Sequence, residues 1–356
     1  MFLSLVSNYD MTLYLLCAEL LPAWYLLTVN SVDYSILMGR IIQVWLAISL
    51  SLFWLVWGGF SVDSWQYLMN FDINPLTWNK EHLFWALGVG LAQILPDPWP
   101  LKVISLLISA LLFWAYYKVS CLGSNSVHKF IVAMFLLLVM PGYFLLTGNV
   151  VRQGMAAAII LLGVSFLLSK QRMWGIILIL MALFFHLMSF VFAVSFIAKR
   201  IRTYVVILLL ISPLASFILI QVLSLFQVDL FELIPYAGKV EGSFYYAKFI
   251  IANALAYVFL WIYFKAEKCN NFLFVSSYVW IVIFSNLFLA YEVPFERLLL
   301  FSNVVLPLAL LEVMPFTRIN LLSCHHWIKS IVVGLVLLTG SLVWSHHSTQ
   351  ISLGYG

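Results

Sequence analysis

The sequence predicts an all-α integral membrane protein, a polytopic bundle of about ten full transmembrane helices, each needing about 20 apolar residues. Hydrophobic residues form 64% of the 356-residue chain and charged residues only 9%, with a mean hydropathy of +1.06. Soluble domains carry about 25% charged residues, so this much apolar surface requires a lipid solvent. The apolar segments lack the short alternation of barrel strands and must therefore satisfy their backbones as helices.

The apolar segments follow one another along a single predicted domain, 1–356, because no polar stretch is large enough to fold alone. The longest polar connections, 61–82 and 227–248, are predicted to be outer loops. The segments are 11–29, 41–60, 83–95, 101–117, 130–147, 153–169, 173–198, 203–226, 249–264, 272–291, 298–314 and 327–344.

Two of these segments are predicted to be re-entrant or broken. Segment 83–95 contains Gly88 and Gly90 and reaches about 20 Å, less than the bilayer core of about 30 Å. Segment 173–198 has basic residues at both ends, which favours a break near His186 and two half-helices. With that break, twelve of the 18 Lys and Arg residues are cytoplasmic and six are outside. With a straight helix, eight are cytoplasmic and ten are outside. The positive-inside rule favours the broken form.

This topology places four features on the outer face: the loop 61–82, Arg152, the loop 227–248 and Arg297. The net charge of +4 fits basic cytoplasmic loops, and no nucleic-acid partner is predicted. The four cysteines are scattered without CxxC spacing, so we expect no disulfide, metal site or cofactor.

Arg152 carries the main functional signal, because it interrupts the otherwise uncharged stretch 130–169. A guanidinium cannot sit in lipid and must face water or a buried anion. His186 lies inside an apolar run, and Arg297 follows Glu296 where another run ends. Together these residues indicate a membrane enzyme acting on an anionic, lipid-linked substrate. The pattern leaves open an interfacial arginine anchor, a histidine bonded to backbone, and an Arg297 that is merely ion-paired.

The predicted outer loops hold further candidates. Asp63 and Glu81 lie near low-dielectric material, which can raise a carboxyl pKa and suit it to proton transfer. Alternatively, both carboxylates belong to a solvated interfacial loop. The stretch 236–248 is aromatic and charged, which suits sugar binding or an interfacial belt equally well. The chain contains no P-loop, nucleophile elbow, HExxH or DxD motif, so a metal-assisted sugar-nucleotide transferase is not predicted.

Four motifs carry a resemblance to a known family. They are Asp63 to Tyr67 followed by Lys80-Glu81-His82-Leu83-Phe84; Asn149-Val150-Val151-Arg152-Gln153-Gly154-Met155-Ala156; Leu183-Phe184-Phe185-His186-Leu187-Met188-Ser189; and Glu296-Arg297-Leu298. In order and spacing the sequence resembles the polytopic Wzy-type O-antigen and exopolysaccharide polymerases, in the EpsG-like branch. Met188 departs from the expected pattern and weakens the assignment of Ser189.

The resemblance implies a GT-C-like bundle that transfers a growing glycan from polyprenyl pyrophosphate to a lipid-linked oligosaccharide repeat, without metal, at the outer face of the bacterial inner membrane. Membrane lipid, a chain-length regulator and a flippase are the implied partners. Arg152 and Arg297 would hold the pyrophosphate, His186 would bond it or relay a proton, and Glu81 or Asp63 would deprotonate the attacking hydroxyl. The remaining substrate-binding candidates are Gln153, Tyr67, Ser189, Tyr245, Tyr246, Lys248 and Glu296.

Three other functions remain open from the sequence. An O-antigen ligase shares the donor and the outer arginines, but we expect a longer basic loop than 227–248. A lipid-linked oligosaccharide flippase would show two similar halves, and no internal repeat relates 1–170 to 190–356. A membrane acyltransferase would use His186 as its catalytic residue, but it would assign no role to Arg152 and Arg297.

Overall fold

The structure, a computed structural model, describes residues 22, 23, 25, 32–57, 62–73, 81–122, 126–197, 203–225, 243–265 and 272–313. Within these residues the secondary structure is helical and contains no strand, which confirms the all-α prediction. The chain forms two compact units. The described residues up to Ser189 belong to the first, and those from Phe190 onward belong to the second.

The first unit contains eight described α-helices and one π-helical turn. The helices are α1 (Val32–Trp57), α2 (Val62–Ile73), α3 (His82–Ala92), α4 (Trp99–Ser120), α5 (Ser126–Val139), α6 (Pro141–Phe144), α7 (Val151–Leu168) and α8 (Arg172–Phe185). The π-helical turn, Leu145–Asn149, lies between α6 and α7.

Helix α7 lies at the centre of the first unit and packs mainly against α4 and α8. Most of its side chains are buried, and many of them are small. The contact with α8 is close at two glycines: a Cβ on Gly163 would lie 2.9 Å from the Gly175 carbonyl oxygen, and the reverse distance is 2.8 Å. Small residues let the helix backbones approach closely, which drives association in lipid.

The second unit contains α9 (Ser189–Ser195), whose first residue belongs to the first unit, and four longer helices. These are α10 (Thr203–Leu225), α11 (Ser243–Lys265), α12 (Leu273–Asn286) and α13 (Glu292–Val313). Buried amides join three of them: Asn286 Nδ2 donates to Asn253 Oδ1 at 2.8 Å and to Ser212 Oγ at 3.1 Å. This network satisfies polar groups that could not otherwise be buried.

Five described helical segments are long and apolar enough to cross a membrane, by length and composition. They are Leu37–Leu55, Trp99–Ser120, Val151–Leu168, Tyr245–Lys265 and Val293–Val313. The structure is therefore that of a helical membrane protein, but it does not confirm about ten full spans. Of the predicted segment 11–29 only residues 22, 23 and 25 are described, and segment 327–344 lies outside the described residues.

Several predicted boundaries need correction. The predicted span 130–147 is interrupted, because α5 ends at Val139 and a new short helix begins at Pro141. Proline has no N–H to continue the preceding helix. The predicted loop 61–82 contains α2, and the predicted loop 227–248 overlaps the first turns of α11.

The short helix predicted near 83–95 and the helix break predicted within 173–198 are both present, and the re-entrant insertion of 83–95 stays a prediction. Helix α3 has 11 residues and is too short to cross a bilayer core of about 30 Å. Within 173–198, α8 ends at Phe185, His186 is extended with φ −160° and ψ 124°, and α9 begins at Ser189. The predicted helix break at His186 is therefore present.

Candidate functional site

Four distant parts of the first unit bring polar side chains together. Tyr67 lies on α2, Glu81 immediately precedes α3, Arg152 lies in the first turn of α7, and His186 follows the last residue of α8. Hydrogen bonds connect all four side chains. We call this set the Arg152 cluster. It joins three of the four motifs on which the family resemblance rests.

Within the Arg152 cluster, the Glu81 carboxylate contacts both Arg152 and His186. Arg152 Nη1 donates to Glu81 Oε2, and His186 Nδ1 lies 2.5 Å from Glu81 Oε1. The side chains of Glu81 and His186 are only 12% and 8% exposed. A buried carboxylate needs such partners, because an unpaired charge in a low-dielectric interior is costly.

These partners set the ionisation of Glu81. Burial raises the pKa of its carboxyl, but the hydrogen bond and charge of His186 and the charge and hydrogen bond of Arg152 together outweigh burial. The pKa of Glu81 therefore lies below its ordinary value, and the group is a carboxylate at neutral pH. This direction is opposite to the raised pKa that one of the two alternatives from the sequence implied, because that alternative did not include His186 and Arg152 as partners of the carboxylate.

Two aromatic residues surround the Arg152 guanidinium. Its Nε donates to the Tyr67 hydroxyl oxygen at 3.3 Å, and its Cζ lies 5.4 Å from the Tyr67 ring centre and 5.6 Å from that of Trp85. Both distances are typical of cation–π contacts. The side chain remains 27% exposed, and Nη2 has no hydrogen-bond partner among the described residues. One edge of the guanidinium is thus available to a ligand.

The backbone around Arg152 explains its position. The π-helical turn ends at Asn149, and α7 begins at Val151. π-helical turns of this kind occur frequently at functional sites. A Cβ on Gly154 would lie 1.8 Å from the Leu146 carbonyl oxygen, so only glycine allows this turn to fold so closely against the start of α7. The free N–H groups of a helix start add to the positive potential around the guanidinium.

The break after α8 directs His186 into the Arg152 cluster. The Ser189 hydroxyl lies 2.5 Å from the His186 carbonyl oxygen and 3.2 Å from that of Ala182, which stabilises the two ends of the break. Ser189 thus bonds backbone in this structure, and its predicted substrate contact stays a prediction. His186 Nε2 is buried and has no hydrogen-bond partner in the part of the chain that the structure describes.

Trp85 is a member of the site that the sequence did not single out. Its ring lies 6.2 Å from that of Tyr67, and its indole Nε1 is buried without a partner among the described residues. Its spacing in the sequence could have identified it, because Trp85 follows Glu81 by one helical turn and therefore lies on the same side of the start of α3.

Two other predicted residues lie in the helices of the first unit. Asp63 belongs to the first turn of α2, one turn before Tyr67, but its side chain lies outside the described part of the structure. Gln153 is completely buried beside Arg152. The predicted roles of both residues stay predictions.

The remaining predicted residues belong to the second unit. Lys248 Nζ donates to Glu296 Oε1 at 2.5 Å, which joins α11 to α13. Tyr245 is buried and donates to the Leu289 carbonyl oxygen, whereas Tyr246 is exposed. Arg297 is partly exposed on α13, and its participation in one site with Arg152 and His186 stays a prediction. Among the described residues, no three His, Cys, Asp or Glu side chains are grouped as metal ligands would be.

Comparison with known protein families decides the identity. A family model described as the EpsG family matches residues 42–351, most of the chain. The chain belongs to the EpsG family. The resemblance inferred from the four motifs is thereby confirmed. Comparison with curated proteins and with solved structures gave no match.

Membership in the EpsG family indicates what kind of protein this is. It supports a membrane protein of the exopolysaccharide polymerase type, with a glycosyltransferase-like activity on a lipid-linked oligosaccharide within the membrane. The apolar helices of the structure agree with that location.

Proposed function

We propose that this EpsG protein is a polysaccharide polymerase that transfers a growing glycan from polyprenyl pyrophosphate to a lipid-linked oligosaccharide repeat. The observation that carries this proposal is the Arg152 guanidinium. It is largely enclosed by aromatic rings, is oriented by Glu81 and Tyr67, and keeps Nη2 available at the start of a helix.

Such a guanidinium suits a pyrophosphate leaving group. Negative charge accumulates on the pyrophosphate as its bond to the sugar breaks, and a preorganised cation stabilises that charge without reorganising. Arginine offers a fork of N–H donors that matches phosphate oxygens, and the helix start adds further positive potential. Glu81 and Tyr67 occupy Nη1 and Nε, which fixes the direction of the free edge.

The reaction needs no cofactor in this proposal, because the departure of polyprenyl pyrophosphate from the anomeric carbon of the donor glycan supplies the driving force. A hydroxyl of the acceptor sugar attacks the anomeric carbon of the donor glycan, and polyprenyl pyrophosphate leaves. The site faces the outer side of a bacterial inner membrane, where a flippase would deliver repeats and a chain-length regulator would limit the polymer. Asp63, Gln153, Ser189 and, from the second unit, Tyr245, Tyr246, Lys248, Glu296 and Arg297 remain candidate ligands for sugar or phosphate.

Reconstitution tests the proposal. Purified protein in liposomes receives a synthetic polyprenyl-pyrophosphate-linked repeat, and the products are separated on a gel. A ladder of repeats is the expected result. Transfer of single blocks to another acceptor indicates a ligase, and unchanged substrate that has crossed the bilayer indicates a flippase; either result would overturn the proposal.

The matched variants are Arg152→Ala and Arg172→Ala. Arg172 also begins a helix but is exposed. Arg152→Ala should abolish the ladder while the protein still inserts and accumulates, and Arg172→Ala should leave the ladder intact. A normal ladder from Arg152→Ala would contradict the assigned role.

A further inference from the structure

The sequence offers two carboxylates, Glu81 and Asp63, as proton acceptor of the proposed reaction. Glu81, however, uses one oxygen for Arg152 and the other for His186. A carboxylate engaged by donors on both oxygens is a weak base, since protonation would disrupt both hydrogen bonds. Glu81 is therefore better placed to orient its partners than to take a proton from substrate.

The contact between Glu81 and His186 also fixes the imidazole tautomer. The Glu81 carboxylate has no hydrogen to donate, so His186 Nδ1 must carry the proton in their 2.5 Å hydrogen bond. In neutral imidazole the other nitrogen, Nε2, then holds a free lone pair. The tautomer of a histidine is set in this way by the partner of its opposite nitrogen.

Within the described part of the chain, the surroundings of Nε2 provide it with no partner. His186 is 7% exposed, and Nε2 is buried with no partner among the described residues. Burying a polar atom without a partner costs about 1–3 kcal/mol, so such an atom in a native protein calls for an explanation. Nε2 of this tautomer accepts a hydrogen bond from an O–H or N–H donor, and a sugar hydroxyl is such a donor.

We propose that His186 accepts the proton of the attacking sugar hydroxyl at Nε2, and that Glu81 is the positioning residue that holds the imidazole through Nδ1. This inference rests on the proposed function of the Arg152 cluster. It moves the role of general base from Glu81 to the histidine.

The hydroxyl oxygen forms a bond to the anomeric carbon while its proton passes to His186 Nε2. The bond between that carbon and the phosphate oxygen breaks, and polyprenyl pyrophosphate leaves with the electron pair. The resulting imidazolium is stabilised by the Glu81 carboxylate and returns its proton to solvent or to the leaving group. No oxidant, reductant or other co-reactant is needed.

His186→Asn separates the catalytic role from a structural one. The asparagine amide nitrogen takes the position of Nδ1 and retains the hydrogen bond to Glu81, but nothing replaces Nε2. We expect kcat to fall by about 10²–10⁴-fold, the usual contribution of general base catalysis, while KM and expression change little. A His186→Asn variant with normal kcat would overturn the proposal.

His128→Asn is the matched control. His128 also lies in the first unit and is bonded through Nδ1, at 2.6 Å from the Tyr25 hydroxyl. The same substitution there should preserve kcat. Loss of activity from both variants, with both proteins folded, would show that histidine replacement alone is damaging and would count against the role of Nε2.

The tautomer itself gives a test that does not depend on polymerase activity. Nitrogen-15 NMR of histidine-labelled protein, with the His186 signals assigned by their loss in His186→Asn, should show a proton on Nδ1 in the wild type. In Glu81→Gln the amide donates to Nδ1, so the proton should move to Nε2. A wild-type protein with Nε2 protonated overturns the positioning role, even if polymerisation is observed. The predicted tautomer in a protein that forms no polymer would instead refute the proposed function alone.

Discussion

Glu81 Oε1 lies 2.5 Å from His186 Nδ1, although 105 residues separate them in the chain. The other Glu81 oxygen accepts from Arg152, so one carboxylate joins the start of α7 to the break after α8. The Arg152 guanidinium and the His186 imidazole are therefore both bonded to the same carboxylate. Replacing Glu81 should therefore disturb phosphate binding and proton transfer together, whereas replacing either partner should disturb one of them more than the other.

The ionisation of Glu81 predicts an acid-dependent loss of stability. The pKa of Glu81 is lowered in the folded state, because the effects of His186 and Arg152 together outweigh the effect of burial. Tyr67 also contacts Arg152. A carboxyl group whose pKa is lower in the folded state stabilises the fold at pH values above its unfolded-state pKa, about 4.3. This stabilisation is lost as the pH falls through the folded-state pKa. The melting temperature of wild type should exceed that of Glu81→Gln at neutral pH, and the gap should shrink below about pH 4.5.

Gly90→Ala provides the comparison for that experiment, because it changes no titratable group and a Cβ there meets nothing within 4 Å. The difference between its melting temperature and that of wild type should stay constant across the same pH range. A difference between wild type and Glu81→Gln that stays constant down to pH 3 would contradict the linkage.

Trp85 should contribute to substrate binding through its indole N–H. Trp85→Phe keeps an aromatic face for Arg152 and removes the buried donor that lacks a partner among the described residues. Because a neutral hydrogen bond contributes about 0.5–1.5 kcal/mol, KM should rise by about 2–10-fold. Steady-state kinetics in liposomes would measure the change.

Trp114→Phe is the control for the indole change. Trp114 is 48% exposed and packs edge-on against Phe166, away from any assigned role. Its KM should not change. An equal rise in KM for Trp85→Phe and Trp114→Phe would contradict the prediction, because the effect would then not be specific to the Trp85 indole.

Gly154 should be required for the backbone that positions Arg152. In Gly154→Ala the new Cβ would lie 1.8 Å from the Leu146 carbonyl oxygen, a backbone atom that cannot move aside cheaply. Overpacking of this kind costs about 1–3 kcal/mol, so the melting temperature should fall. Gly90→Ala is the matched control on α3, where a Cβ meets nothing within 4 Å and alanine should stabilise the helix by about 0.5–1 kcal/mol. A melting temperature for Gly154→Ala at or above that of Gly90→Ala would contradict this account.

The sequence predicted the helical class, the short helix near 83–95 and the break at His186, because apolar runs and charge placement are local signals. It did not predict that Glu81 contacts both Arg152 and His186. Those contacts span 71 and 105 residues and depend on the packing of separate helices. The lowered pKa of Glu81 differs from the raised pKa of one sequence-based alternative for the same reason, since the low-dielectric surroundings could be read from the sequence and the two partners could not.

The helix α2 inside the predicted loop 61–82 was missed for a related reason. Its sequence, Val62–Ile73, is only moderately apolar and too short to be recognised as a span, but it packs against α3. Phe71 lies so close to Gly88 that a Cβ there would be 2.0 Å from its ring. Tertiary packing thus decides whether such a segment is a helix, and it brings Tyr67 to Arg152.

The most direct test of the central claim compares how tightly the reconstituted protein binds polyprenyl pyrophosphate and polyprenyl monophosphate, in wild type and in Arg152→Lys. The lysine keeps the charge but loses the planar fork of donors. Charge-assisted hydrogen bonds contribute about 1.5–3 kcal/mol, so the preference for pyrophosphate should fall by about 10-fold or more in Arg152→Lys and stay unchanged in Arg172→Lys. An undiminished preference in Arg152→Lys would show that this guanidinium does not hold the pyrophosphate.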